Sequence, residues 1–170
     1  MIDYKDYTIK AKIRNIEPLE KILISMNASF VGLDNQTDYY FETDKGKLKY
    51  RHGTLENLIT HYERTFEDGI EKTTVYQYDK NPTLDQIEKL RAEKKQIGVT
   101  TKERKIYTLK NVKIHLDKLP DGQCYIEIEA IDLTNSFTDN ELKRQCLMIK
   151  SKLLISDNSL VTTGYLKGQG

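Results

Sequence analysis

The sequence predicts an α+β protein in which eight antiparallel strands close, or nearly close, into a β-barrel with flanking helices. Eight short segments alternate polar and apolar residues with a period of two, which is typical of half-buried strands. Tight turn sequences separate many of these segments, and hairpins in succession favour an antiparallel sheet. Three longer segments show helical periodicity instead. Closure into a barrel is favoured because it removes the exposed edges of a large sheet.

The predicted strands are bounded by residues that favour turns. Turn chemistry is visible at Asp44-Lys45-Gly46, Glu67-Asp68-Gly69, Leu109-Lys110-Asn111 and Pro120-Asp121-Gly122. The eight strand segments, in chain order, are Tyr7–Arg14, Tyr39–Glu42, Lys47–Arg51, Leu58–Phe66, Glu71–Tyr78, Thr100–Tyr107, Asn111–Asp117 and Cys124–Ile131.

The three helices are predicted from apolar residues at three- and four-residue spacing and from their first turns. Pro18 lies in the first turn of the first helix, where a missing amide does little harm. The other two helices open with capping boxes, in which the cap and the third helical residue bond each other's backbone amides. The predicted spans are Glu17 to Ala28, the capping box Thr83/Gln86 to Gly98, and the capping box Thr138/Glu141 through Leu153.

Composition narrows the class of protein. The 170 residues contain 27 Lys and Arg against 26 Asp and Glu, so the net charge is +1 and the pI is about 7.7. This balance excludes a basic nucleic-acid coat and an acidic solvating tail. We find no linker or repeat and predict one domain over residues 1–170. Without an apolar leader or span, and with Cys124 and Cys146 expected as buried free thiols, we expect a cytoplasmic protein without membrane contact.

Charge of one sign repeats on single strand faces, because residues two apart share a face. Cations repeat on four strands and a carboxylate pair occupies a fifth. The sets are Thr8, Lys10, Lys12 and Arg14; Lys47, Lys49 and Arg51; Lys102 and Arg104; Lys113, His115 and Asp117; and Glu127 with Glu129. On any one strand, a charged face in water is the simpler interpretation. A solvated surface normally mixes signs, however, so a cationic face enclosed in a barrel would instead call for a polyanion.

The carboxylate pair on the fifth strand suggests that a metal ion binds together with such a polyanion. Glu127 and Glu129 could hold a hard cation such as Mg²⁺ or Mn²⁺, which prefers carboxylate oxygens and substrate phosphates. A cationic lumen with an acidic metal shelf is what triphosphate binding requires.

With these segments in view, the chain resembles the CYTH superfamily of triphosphate-tunnel proteins over about residues 7–165, and most closely its class IV adenylyl cyclase-like branch. Each motif is weak alone, but their order and spacing together are specific. The matching motifs are Gln36-Thr37-Asp38-Tyr39-Tyr40-Phe41 (Q-x-D-T-Y-F), Gly46-Lys47-Leu48-Lys49-Tyr50-Arg51 (G-R-L-K-L-R), Tyr62-Glu63-Arg64 (Y-x-R), Lys72-Thr73-Thr74 (K-x-S), Lys102-Glu103-Arg104 (K-x-R), Ile114-His115-Leu116-Asp117 (I-H-L-D) and Ile126-Glu127-Ile128-Glu129 (E-x-E).

One position departs from the family pattern. The superfamily opens with E-x-E-x-K and this branch often reads E-x-K-x-[RK], whereas the chain has Thr8-Ile9-Lys10-Ala11-Lys12. The two cations fit, but Thr8 replaces a Glu that normally helps to hold a metal. One metal ion is therefore expected, and a second is in doubt.

The resemblance implies roles for these residues. Thr74 could donate a hydroxyl hydrogen bond, and His115 is either a proton carrier or a structural hydrogen-bonding residue. The implied catalytic residues are Glu127, Glu129, Asp117 and Lys12, with Asp117, Glu127 and Glu129 as ligands of Mg²⁺ or Mn²⁺. The implied phosphate-binding residues are Lys10, Lys47, Lys49, Arg51, Arg64, Lys72, Lys102, Arg104 and Lys113.

The function that the resemblance implies is conversion of ATP to cyclic AMP and pyrophosphate. Two alternatives stay open: a triphosphatase acting on thiamine or inorganic triphosphate, and a non-catalytic phosphoanion-binding module, which Thr8 favours. ATP is the favoured ligand, no nucleic acid is expected, and a homodimer is expected only by analogy with the cyclase branch.

Overall fold

The computed structural model describes residues 4–162. The eight strands are β1 (Lys5–Ile13), β2 (Ser29–Phe41), β3 (Lys47–Gly53), β4 (Leu58–Glu67), β5 (Ile70–Lys80), β6 (Gln96–Leu109), β7 (Val112–Lys118) and β8 (Cys124–Asp132). The helices are α1 (Glu17–Ser25), α2 (Leu84–Glu93) and α3 (Asp139–Lys152), followed by a 3₁₀ turn at Asp157–Ser159. Thr83 and Thr138 form the two predicted capping boxes.

The strands form a closed barrel in the order β1-β5-β4-β3-β2-β6-β7-β8, with every neighbour antiparallel. The β1–β5 seam is short, pairing Tyr7 with Lys72 and Thr8 with Glu71. Beyond it the chain near residue 161 continues the ladder, where the Val161 amide donates to the Lys10 carbonyl at 2.9 Å. The predicted α+β barrel is confirmed.

The antiparallel order defines two ends of the barrel. Strands β1, β2, β4 and β7 begin at one end, which we call the first end, and the β3–β4 loop lies there. The β2–β3, β4–β5 and β7–β8 hairpins lie at the opposite, second end.

The apolar core lies outside the barrel wall. Ile9, Ile126 and Ile128 are at most 1% exposed and pack in one cluster with Leu23 of α1 and Leu142 of α3. A second cluster joins Phe41, Leu48, Tyr50 and Ile59 to Ile87 of α2. Because the helices cover the outward apolar face of these strands, the alternate residues face the lumen, and many of these are charged.

Strand β2 is much longer than predicted. Its buried positions include Asp34, Gln36 and Asp38, whereas Val31 and Leu33 are exposed. Here polar residues are buried and apolar residues are exposed, which is the reverse of the usual relation. The polar–apolar alternation therefore did not predict the first ten residues of the strand.

The helix ends also differ from the prediction. Helix α1 ends at Ser25 rather than Ala28, because Asn27 adopts a φ of 61°. Helix α2 ends at Glu93 rather than Gly98, because β6 begins at Gln96.

Cys124 and Cys146 are buried free thiols, as expected. Over residues 4–162, no helix has the length and apolarity needed to cross a bilayer.

Candidate functional site: a charged tunnel through the barrel

The barrel lumen is a cavity of about 110 Å³ lined mainly by charged and tyrosine side chains. Eight of the nine predicted phosphate-binding residues line it: Lys10, Lys47, Lys49, Arg51, Arg64, Lys102, Arg104 and Lys113. Five carboxylates also line it: Asp6, Asp38, Glu56, Glu127 and Glu129. Among the described lining residues, cations thus outnumber carboxylates, although the whole chain is nearly neutral.

Asp38 organises the cationic side of the tunnel. Arg51 donates to both of its oxygens, at 2.8 and 2.9 Å, and Lys102 and Lys49 donate at 3.0 and 3.3 Å. Burial alone would raise the pKa of Asp38, but these three cations hold it well below its usual range. One ionised carboxylate therefore fixes three cations that would otherwise repel one another in a buried cavity.

Arg104 is fixed in the same way by Asp117. Its Nε and Nη2 donate to the two Asp117 oxygens at 2.7 and 2.8 Å, and the Asp117 side chain is fully buried. Such a bidentate pair positions the guanidinium firmly. Because both Asp117 oxygens accept from Arg104, Asp117 is placed to position this guanidinium, and its metal-ligand and catalytic roles stay predictions.

The acidic side of the tunnel comes from β1 and β8. Glu127 lies 3.8 Å from Lys10 Nζ, 3.6 Å from Arg104 Nη2 and 3.6 Å from His115 Nδ1. Neither ring nitrogen of His115 has a hydrogen-bond partner within residues 4–162, although the residue is buried.

Asp6 and Glu129 form a carboxyl pair beside Glu127. Burial and the neighbouring Glu129 raise the pKa of Asp6 well above its usual value. Thr8 Oγ1 also donates to Asp6 Oδ1 at 3.0 Å. Burial alone would raise the pKa of Glu129, but its hydrogen bond with Asp6 and the nearby His115 and Lys113 lower it.

Two lining cations have no carboxylate within ion-pair distance among residues 4–162: Lys47 and Arg64. Arg64 Nε donates to Thr73 Oγ1 at 3.2 Å, and its guanidinium lies 5.1 Å from the Tyr62 ring centroid. Lys47 is only 9% exposed. A buried lysine and a half-buried arginine without a carboxylate partner are the groups in this tunnel best prepared to receive an anion.

Three predicted site residues lie outside the lumen. Lys12 is exposed at the end of β1, beyond the enclosed part of the strand. Lys72 points outward, 3.6 Å from Asp139 of α3. Thr74 shares the outward face with Lys72, whereas Thr73 lines the lumen. The predicted catalytic role of Lys12 and the predicted phosphate contacts of Lys72 and Thr74 are therefore corrected.

Sequence reasoning overlooked three carboxylates of the lumen. Asp6 was identifiable, because Asp6-Tyr7-Thr8-Ile9-Lys10 aligns with E-x-E-x-K, with Asp at the first acidic position and Thr8 at the second. Asp38 stood inside a quoted motif, and its even spacing from Gln36 and Tyr40 places all three on one face. Glu56 lies in the β3–β4 loop, where alternation carries no information.

No three Asp, Glu, His or Cys side chains are already arranged around a metal position in the described part of the chain. The donor chemistry nevertheless fits a divalent cation. Asp6, Glu127 and Glu129 all line the lumen, and Glu127 lies on the same strand face as Glu129. Mg²⁺ commonly takes only one or two carboxylates and completes its sphere with water and substrate phosphates.

Binding of a polyanion is expected to take up protons. Burial lowers the pKa of Lys102 to about 7 and that of Lys49 to about 8, so both lysines lose protons as the pH rises through this range. A bound anion favours the charged form and restores those protons. Titration calorimetry with inorganic triphosphate near pH 8, in two buffers of different ionisation enthalpy, should show net uptake that is smaller in Lys102→Met. Equal uptake by both proteins would contradict the assignment.

A closed antiparallel barrel with this cationic lumen defines the triphosphate-tunnel fold class. A sequence profile of the CYTH domain matches residues 5–165, and the chain belongs to the CYTH family. The comparison with curated proteins gave no match.

Solved structures show the same fold. PH1012 of Pyrococcus horikoshii OT3 has a TM-score of 0.78 at 23% identity, covering 94% of this chain and 96% of its own. A candidate adenylate cyclase of Vibrio parahaemolyticus has a TM-score of 0.69 at 14% identity, covering 94% of both chains. A Hippeastrum protein described as having a dominant triphosphatase activity has a TM-score of 0.61 at 11% identity, covering 95% of this chain and 92% of its own.

Proposed function

We propose that this CYTH protein is a metal-dependent enzyme that binds a triphosphate in its tunnel and hydrolyses it. The observation that carries this proposal is the meeting of unpaired cations and carboxylates in one lumen. Lys47 and Arg64 have no carboxylate within ion-pair distance among residues 4–162 and can therefore bind an anion. Burial alone would lower the pKa of Arg64, but Tyr62, Glu127 and Asp6 raise it, so both carboxyl groups lie near this guanidinium. A triphosphate held by the cations would therefore place phosphate oxygens next to carboxylates that suit Mg²⁺ or Mn²⁺.

Each group of lumen residues has its own part in this proposal. Lys47 and Arg64 bind phosphate oxygens directly, while Asp38 and Asp117 keep the remaining cations oriented before the ligand arrives. Pre-orientation matters because charge that develops in the transition state is then met without reorganisation. Asp6, Glu127 and Glu129 would hold the divalent cation, which when bound neutralises negative charge on the phosphoryl group and the leaving group.

The contacts of the lumen tyrosines favour hydrolysis over a reaction in which the purine base of a nucleotide must bind. Lys49 Nζ lies 5.9 Å from the Tyr40 ring and 5.5 Å from the Tyr62 ring, and Arg64 also approaches Tyr62. Tyr4 and Tyr78 contact each other edge to face at 6.2 Å. These rings are engaged within the protein, so a purine would have to displace cations in order to stack on them.

Adenylyl cyclase activity is the second candidate. The I-H-L-D segment, quoted for its resemblance to the cyclase branch, places His115 in the lumen beside Glu127. A non-catalytic module is the third candidate, and Asp6 weakens it, because this carboxyl supplies an acidic group on β1 where Thr8 does not. A homodimer stays a prediction.

Product analysis tests the proposed function. We expect orthophosphate release when the protein is incubated with ATP, thiamine triphosphate or inorganic triphosphate and Mg²⁺ or Mn²⁺. Glu129→Gln is expected to slow this release by about 100-fold or more while triphosphate still binds, because a carboxylate that would hold the charge-neutralising divalent cation is lost. Glu103→Gln, on the exposed outer face of β6, is the matched control and should match the wild type.

Cyclic AMP with pyrophosphate would instead establish the cyclase candidate. Binding without turnover, unchanged in Glu129→Gln, would establish the non-catalytic module and contradict the proposal.

A further inference from the structure

The β3–β4 loop carries an acidic side chain across the first end of the tunnel. Glu56 Oε1 accepts a hydrogen bond from Gln36 Nε2 at 3.0 Å and lies 3.6 Å from Arg51 Nη1. Its other oxygen lies 3.9 Å from Lys113 Nζ on β7. The carboxylate therefore links the β2–β3 wall to the β7 wall, and it occupies a position where an anionic ligand would meet the same two cations.

The loop is firmly attached to the barrel by Asp34 at the base of β2. The backbone amides of Leu55 and Glu56 donate to the two Asp34 oxygens at 2.8 and 3.0 Å. The Thr54 amide donates to the Asn35 carbonyl at 3.2 Å, and the Asn35 amide donates to Thr54 Oγ1 at the same distance. These bonds fix the backbone from Thr54 to the Glu56 amide.

Two glycines let the loop lie this close to β2. A Cβ on Gly53 would stand 2.5 Å from the Glu56 carbonyl oxygen and 2.7 Å from Asp34 Oδ1. A Cβ on Gly32 would stand 2.7 Å from Leu55 Cδ1. The hydrogen bonds to the fully buried Asp34 carboxylate and the close approach at Gly53 fix the Glu56 backbone, and Gln36, Arg51 and Lys113 hold its side chain in place.

Glu56 carries a full negative charge in this position. Burial alone would raise its pKa, but His115, Arg51, Arg104 and Lys113 lower it to about 2. At neutral pH the first end of the tunnel is therefore closed by an anion that belongs to the protein.

We propose that Glu56 determines specificity by taking the place of a phosphate at the first end of the tunnel, so that the lumen accepts a triphosphate and rejects a longer polyphosphate. A chain that extended past Arg51 towards Lys113 would meet a fixed like charge, and like charges brought together reject the wrong partner. It also follows that the ligand enters from the second end, where Lys47 and Arg64 lie. This inference rests on the proposed triphosphate site.

Calorimetric titration with inorganic triphosphate and inorganic tetraphosphate tests the inference. The wild type should bind triphosphate at least about tenfold more tightly than tetraphosphate. Glu56→Gln, which removes the charge at nearly constant shape, should tighten tetraphosphate binding and reduce the ratio to below about threefold. Glu56→Asp keeps the charge and should keep a ratio near that of the wild type. Glu103→Gln removes an exposed carboxylate from the outer wall and should leave the ratio unchanged.

Several results would overturn the inference. One is a wild type that binds both polyphosphates equally, which can be measured even if Glu56→Gln does not fold. Another is an equal gain for both ligands in Glu56→Gln, which would make Glu56 a simple competitor of the ligand. A Glu56→Asp variant that no longer prefers triphosphate over tetraphosphate would also contradict the inference. A wild type that binds neither compound refutes the proposed triphosphate site itself, so the two failures are distinguishable.

Discussion

Removing the unpaired cations at the second end of the tunnel is expected to abolish most of the triphosphate affinity. A hydrogen bond to a charged group contributes about 2 kcal/mol, so Lys47→Met and Arg64→Gln should each weaken binding by roughly 30-fold. Neither substitution leaves a buried carboxylate unpaired, because neither residue has an ion-pair partner within residues 4–162. Titration calorimetry with inorganic triphosphate measures the loss, and thermal unfolding should show little change.

The matched controls for these variants are Lys72→Met and Lys12→Met. Both residues were predicted from the sequence as part of the site, and both lie outside the lumen. Binding should therefore stay within about twofold of the wild type, as is usual for exposed side chains remote from a bound ligand. A loss in Lys72→Met as large as that in Lys47→Met would refute the placement of β5 in the barrel wall.

Asp38→Asn is expected to produce the largest loss of stability. The substitution leaves Lys49, Arg51 and Lys102 buried without their shared counterion, and breaking a buried ion pair costs about 3–5 kcal/mol. For a protein of this size, about 3 kcal/mol corresponds to a fall of roughly 10 °C in the unfolding midpoint. Asp44→Asn, an exposed change in the β2–β3 hairpin, should leave the midpoint nearly unchanged.

The same variant is expected to respond more strongly to ligand. Inorganic triphosphate supplies the negative charge that Asp38→Asn removes, and a ligand raises stability by an amount that grows with its affinity. Differential scanning fluorimetry should therefore show a larger upward shift with triphosphate for Asp38→Asn than for the wild type. A variant of normal stability, or one that triphosphate fails to stabilise, would contradict the role given to Asp38.

Strand alternation predicted most of the barrel because a polar lumen and an apolar outer face keep the period of two. Lys47, Lys49 and Arg51 lie in the lumen together, as their spacing indicates. The same rule fails for Lys12, where the period continues but the enclosing wall has ended. Lys72 and Thr74 were predicted from the family resemblance rather than from alternation, and the structure places Thr73, between them, in the lumen instead.

The partners of the lumen cations could not be predicted from spacing. Asp38 and Arg51 face each other across the β2–β3 pair, and Arg104 and Asp117 across the β6–β7 pair. These registers show that Asp117 positions Arg104, which its spacing in the sequence does not indicate. Glu56 reaches the lumen from a loop, so only the three-dimensional structure could identify it. The net charge of +1 likewise does not indicate a tunnel in which cations outnumber carboxylates.

The most direct test of the account is a crystal structure of the protein with inorganic triphosphate and Mg²⁺. We predict a phosphate chain inside the barrel, with oxygens within hydrogen-bond distance of Lys47 Nζ and the Arg64 guanidinium, and with Mg²⁺ between the phosphates and the carboxylates of β1 and β8. A lumen without phosphate, or a triphosphate held only on the outer wall near Lys12 or Lys72, would contradict the account.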